Sequence, residues 1–174
     1  MAEILADIHL DEGKISALNI VSADTSVILY NQLERATLKR HGVDSTSFAK
    51  SFASYVQEPQ DFIDLYKRVN AALAKKQLLK AKEAIDIAAA NPETEKSPKT
   101  LFYKGEIYTK MTFFKILGDA EFNKNVPENA KEISIKAYKE AYDISNKYDS
   151  DIQNSVNVIK QMLYTAGSAA FDAK

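Results

Sequence analysis

No glycine or proline occurs between Pro59 and Pro92. Phe62, Leu65, Tyr66, Val69 and Leu73 recur through its first half at the three- and four-residue spacing of one helix face. The same period continues into QLLKAKEAIDIAAANP. A stretch with helical period and no helix breaker has two readings. It forms one rod of roughly 30 residues, ~45 Å long at 1.5 Å per residue, or two helices with a short break at Ala74-Lys75-Lys76.

The remaining sequence supplies further helices. Ile4, Leu5, Ile8, Ile15 and Leu18 form a first stripe, with a break or bend expected at Gly13, which costs about 1 kcal/mol relative to Ala. Ser22, Asp24, Thr25 and Ser26 are good capping residues. They open a second helix with Val27, Leu29, Tyr30, Leu33, Ala36 and Leu38 near one face, stopping at His41-Gly42. Asp44 or Ser45 caps a third, carrying Phe48, Phe52, Tyr55 and Val56 and stopped by Pro59. Ser97-Pro98 reads as a cap followed by a first-turn proline, opening a helix with Leu101, Phe102, Gly105, Ile107, Tyr108 and Met111. Residues 112–131 are less regular, and Val126-Pro127-Glu128-Asn129 is a turn into a helix holding Ile133, Ala137, Tyr138, Ala141, Ile144 and Tyr148. A last helix from about residue 151 carries Ile152, Val156, Ile159, Leu163, Ala166, Ala170 and Phe171. No Asn-Gly hairpin signal occurs. The fold class is all-α, with 5 Gly and 4 Pro in 174 residues fitting helices better than a turn-rich β-protein.

The chemistry these residues exclude is broad. There is no cysteine, which removes disulfides, thiol catalysis and cysteine-based zinc sites. The net charge is −1, and neither half is charged enough to argue for nucleic acid or an anionic membrane. Apolar runs fall short of the roughly 20 residues that span a bilayer, so no membrane insertion is expected. The start, MAEILADIHLDEG, is acidic and amphipathic, without a basic opening or cleavage signal.

Residues 1–74, through MAEILADIHLDEGKI and HGVDSTSFAKSFASYVQEPQDFIDLYKRVNAAL, resemble a Bacteroidota family known only as a domain of unknown function, the family numbered 4296. The resemblance implies relatives that are small exported lipoproteins, with a signal peptide and a lipid-bearing cysteine that this sequence does not contain. It implies a periplasmic or envelope-associated place for the full-length protein, and no known activity. Residues 75–174 resemble divergent tetratricopeptide repeats. Leu101, Gly105 and Tyr108 fit the first helix of a repeat, and Ser134, Tyr138 and Ala141 the second. Ala81 and Ala84 resemble the second helix of a preceding repeat, and Gly167 the first helix of a following one. Gly105 and Ser134 stand further apart than in a plain repeat, which implies an insertion around 109–131. Two repeat-like ends without partners, and two family segments meeting near Leu73–Gln77 in helical phase, raise a fragment or an artificial fusion as an alternative.

Few side chains are candidates for chemistry. Asp7, His9, Asp11 and Glu12 include metal-ligating residue types, but on a helix His9 shares a face only with Glu12. One imidazole and one carboxylate make a weak site, and a solvated face is the favoured reading. His41 beside Gly42 fits a partner of the helix dipole. Ser45, Ser47, Ser51 and Ser54 have no base to serve. Lys75, Lys76, Lys80 and Lys82 read as a solvated face. No catalytic residue, metal or cofactor is assigned. The expected function is non-enzymatic: protein–protein binding or scaffolding, or a structural part of a cell-envelope lipoprotein system. A protein or peptide partner would be gripped by aromatic, Asn and Lys side chains of the second half, with Tyr103, Lys104, Asn154 and Lys160 as the candidates.

Overall fold

Eight α-helices, one 3₁₀ turn and no strand make up residues 1–172, the part of the chain that the computed structural model describes. The side chains of Ala166, Ala170 and Phe171, placed on an apolar stripe by the sequence, lie outside the described residues. The chain divides into two units, Met1–Lys76 and Gln77–Lys174.

In the first unit, α1 (Ala2–Ala17) runs through Gly13 without a break, contrary to expectation. Ile8 and Asp11 before the glycine and Ile15 after it are all buried, and that anchoring exceeds a propensity cost of about 1 kcal/mol. The reversal comes later, at Asn19, whose φ of 50° is one that asparagine tolerates. Helix α2 (Ala23–Arg40) starts on Ser22, whose hydroxyl accepts the Thr25 amide. It ends in a Schellman motif: Gly42 takes φ +67°, its amide donates to the Lys39 carbonyl, and the Val43 amide donates to the Leu38 carbonyl. Only Thr37 and Leu38 of α2 are buried. Val27 and Ala36 face solvent, against the expected stripe, while Leu29, Tyr30 and Leu33 are half-buried and Tyr30 packs on Ile4, Ile8 and Leu38. Asp44 caps α3 (Ser45–Gln57) by accepting the Ser47 amide at 2.9 Å.

Helix α4 (Pro59–Ala90) is unbroken at Ala74–Lys76. Its turns up to Lys76 give the first unit Leu65, Val69 and Ala72, which pack with Leu5 and Ala6 of α1 and with Phe48, Phe52 and Tyr55 of α3. A neighbouring cluster joins Ile4 and Ile8 to Leu38 and Val43.

In the second unit, the turns of α4 from Gln77 present Leu78 and Ile85 to Tyr108, Met111, Phe122 and Val126. Ala84, expected as an inward small residue, is exposed. The Thr94 hydroxyl donates to the Ala88 carbonyl and ties the loop after α4 back onto the helix. Helix α5 (Pro98–Ile116) starts with Ser97 at its cap and Pro98 at its first position, as read from sequence. Residues 112–116 of the irregular region continue α5. The chain turns at Gly118 (φ +80°) into the short α6 (Ala120–Asn123), capped by Asp119. Helix α7 (Ala130–Ile144) packs along α5, and a 3₁₀ turn (Asn146–Tyr148) leads to α8 (Asp149–Asp172). Leu101, Phe102, Tyr138, Ala141, Ile152 and Ile159 form the core of these last helices. Phe102 stacks on Tyr148 with ring centroids 4.5 Å apart.

Candidate functional site

Gly105 of α5 packs directly against the ring of Tyr138 of α7. A Cβ on Gly105 would stand 2.4 Å from Tyr138 Cε1. Only glycine leaves room for the ring, and the ring brings the phenol between α5 and α8. The hydroxyl of Tyr138 donates to Oε1 of Glu106 at 2.6 Å, and Ser155 of α8 donates to the same oxygen. Thr109 lies 2.6 Å from the Ser134 hydroxyl and 3.3 Å from the Tyr138 hydroxyl. Burial and then the adjoining Glu106 carboxylate raise the pKa of Tyr138, so it stays a neutral donor.

This polar cluster forms one end of an open cleft of about 320 Å³ between α5 and α8. Glu106, Thr109 and Ser155 line that end, and Phe113, Val158 and Met162 line the rest, with Lys110 as the second charged group. Phe113 and Val158 are 40% and 45% exposed, a high value for large apolar side chains on facing helices. The arrangement sets one hydrogen-bonded carboxylate beside an apolar wall.

The four residues proposed from sequence fall in different places. Tyr103 is exposed on α5, in edge contact with Phe102. Lys104 lines a separate cleft with Glu95, Leu101 and Glu140. Asn154 and Lys160 are exposed on α8, six residues and therefore most of a half-turn apart in direction. None of the four lines the α5–α8 cleft. Glu106 and Ser155 were not singled out in the sequence. They are 49 residues apart, and no local period connects them. The Gly105 and Tyr138 assignments to helix contact were the nearest signal.

A second polar cluster fastens the first unit. Asp7 of α1 accepts from His41 Nε2 at 2.9 Å and from Lys76 of α4 at 3.1 Å, with Arg40 at 3.8 Å. Asp11, with its side chain 8% exposed, accepts from Thr37 at 2.8 Å and Lys14 at 2.6 Å. Burial pushes both carboxyls up. For Asp7, bonds from His41 and Lys76 and the charges of Lys76 and Arg40 outweigh it; for Asp11, bonds from Lys14 and Thr37 and the charges of Lys14 and Arg40 do so. Both pKa values end below the ordinary carboxylate value. The solvated-face reading is therefore corrected for Asp7 and Asp11, which point at the neighbouring helices, while His9 pairs with Glu12 as its spacing allows. His41 is corrected too: Asp7 across the hairpin holds it, not the helix end alone. Lys76 bridges Glu3 and Asp7, and Lys82 bridges to Asp86, so the lysine face is not wholly solvated. No group of three His, Cys, Asp or Glu side chains placed to hold a metal occurs among the described residues.

A third, wider cleft of about 830 Å³ runs beside α3 between Met1, Ile4, Phe48, Tyr55, Ser51 and Asp61. Its floor is the half-buried aromatic face of α3.

Residues 1–78 match the family described as "Domain of unknown function (DUF4296)", which takes in the first unit and extends two residues into the second. No curated protein and no solved structure matches the chain. Among the described residues no helix is long and apolar enough to cross a membrane.

Proposed function

We propose that the second unit is a divergent tetratricopeptide-type hairpin that holds a segment of another protein, with no catalytic step. The α5–α8 cleft carries this reading: a solvent-open apolar wall of Phe113, Val158 and Met162 ends on a hydrogen-bonded polar cluster. Large apolar side chains left open on facing helices mark recognition surfaces. The repeat reading is supported by Gly105 seated against Tyr138, and by Ser134 and Ala141 buried at the positions where close helix contact needs small side chains. Tyr103, three residues before Glu106, and Asn154, four before Val158, stand on the cleft's side of their helices. They are proposed as flanking contacts; Lys104 and Lys160 lie elsewhere.

A photo-crosslinking residue in place of Phe113, in the full chain expressed in its own cells, tests this. The expected result is a discrete adduct with another protein that disappears when Val158→Asp charges the wall. Equal adducts from Phe113 and from an α7 position such as Lys139, indifferent to Val158→Asp, would remove the cleft as the binding surface.

A further inference from the structure

The α5–α8 cleft holds a carboxylate with an unusual coordination. Glu106 Oε1 accepts two hydrogen bonds, from Tyr138 and from Ser155, so both lone pairs of that oxygen are engaged. Among the described residues no donor reaches Oε2, and no cation lies within ion-pair distance of the group. Lys110, one turn along α5, is exposed and makes no ion pair with it. The two donors come from α7 and α8, so three helices fix the side chain before any ligand arrives. Its rotamer entropy is already spent, which favours binding.

We infer that Glu106 reads a lysine ammonium of the bound segment, whose neighbouring apolar side chain rests on Phe113, Val158 and Met162. This rests on the cleft being the binding surface. Glu106 is the charge that three helices hold in place, whereas Lys110 on the same cleft is exposed and untethered, so the fixed charge selects a cation and repels an acidic side chain. Geometry decides which cation. An arginine fork binds a carboxylate through both oxygens in parallel, but Oε1 is already saturated. Arginine is left with a single end-on bond to Oε2 and loses its bidentate advantage over a compact ammonium. The apolar anchor lies about 10 Å away, because Glu106 and Phe113 are seven residues apart on α5 at 1.5 Å per residue.

Selection of random twelve-residue peptides displayed against the full chain, followed by fluorescence anisotropy on the recovered sequences, tests the inference. Selected peptides are expected to pair a lysine with an aliphatic or aromatic residue. Replacing that lysine by norleucine, or the protein's Glu106 by Gln, should each weaken binding about tenfold, the scale of one charge-assisted hydrogen bond. The two changes together should weaken it little further, and arginine should bind less well than lysine. Glu106→Gln keeps an oxygen acceptor for Tyr138 and Ser155, and the norleucine peptide leaves the protein untouched, so a folding defect cannot mimic the result. Binding abolished by Val158→Asp but unchanged by Glu106→Gln would overturn the ammonium inference while sparing the cleft. Peptides indifferent to both variants, or no peptide recovered, would overturn the cleft as well.

Discussion

Gly105→Ala is the substitution on which the packing of the second unit is most exposed. The added Cβ would meet Tyr138 at 2.4, 2.5 and 2.9 Å from three ring atoms, where carbon contacts settle near ~3.5 Å. The ring must retreat by about 1 Å. Tyr138 is 1% exposed, and its hydroxyl is bonded to Glu106, so it cannot retreat freely. Overpacking of this kind costs ~1–3 kcal/mol, and a displaced hydroxyl forfeits a charge-assisted bond of ~1.5–3 kcal/mol. Alanine returns about 1 kcal/mol of helix propensity. The net expectation is a loss of ~2–4 kcal/mol, or about 5–15 °C in melting temperature for a chain of this size. Thermal unfolding by circular dichroism, with amide hydrogen exchange to localise the change, is the assay, since two units need not unfold together. Exchange should accelerate in α5 and α7 first. Gly13→Ala is the opposite control: nothing stands within 4 Å of its Cβ, and a gain of ~0.5–1 kcal/mol is expected. A Gly105→Ala protein that melts as high as the parent, with unchanged exchange in α5, would refute the close packing of Gly105 on Tyr138.

Gly42→Ala forces a side chain into a φ of +67° and is expected to cost ~1–2 kcal/mol in denaturant unfolding, although nothing crowds the position. Asp11→Ala strips a buried Thr37 hydroxyl of its acceptor and should lose ~1–3 kcal/mol, with exchange rising where α1 meets α2. The lowered pKa values of Asp7 and Asp11 mean that their contribution is present above the unfolded carboxyl value near ~4 and lost as pH falls through the folded values. The urea midpoint should therefore fall between about pH 5 and pH 2, and fall less steeply in the Asp7→Asn, Asp11→Asn double variant. An unchanged slope would remove these two carboxylates from the acid response. Tyr108→Phe removes the donor to the Asp86 carboxylate at 2.7 Å and should cost ~1.5–3 kcal/mol, measured by urea unfolding at neutral pH.

Several helix ends were legible because they are decided by neighbours in sequence, although Tyr148, read as part of the helix with Ile144, lies in the 3₁₀ turn after it. Ser22 and Asp44 cap their own first turns, Pro98 opens α5 although the Ser97 hydroxyl makes no cap bond, and Gly42 acts within its own last turn. The seating of α5 on α7 was partly legible, since Gly105 and Tyr138 are residue types that announce close contact. The polar clusters were not. Asp7 and His41 are 34 residues apart, and Glu106 and Ser155 are 49 apart. Taken alone, each sits in a charged or polar helical stretch that reads as solvated. Only the packing of separate helices turns such residues inward, and no period in one helix records it. Lys104 lines a different cleft from the one between α5 and α8, and Lys160 is exposed on α8.

Mapping a selected peptide onto the chain by amide and methyl chemical shifts tests the central claim most directly. The largest changes are predicted at Thr109, Lys110, Phe113, Val158 and Met162, with Glu106→Gln reducing the affinity about tenfold. Shifts confined to the α3 cleft around Phe48 and Tyr55, with the α5–α8 residues unmoved, would contradict it.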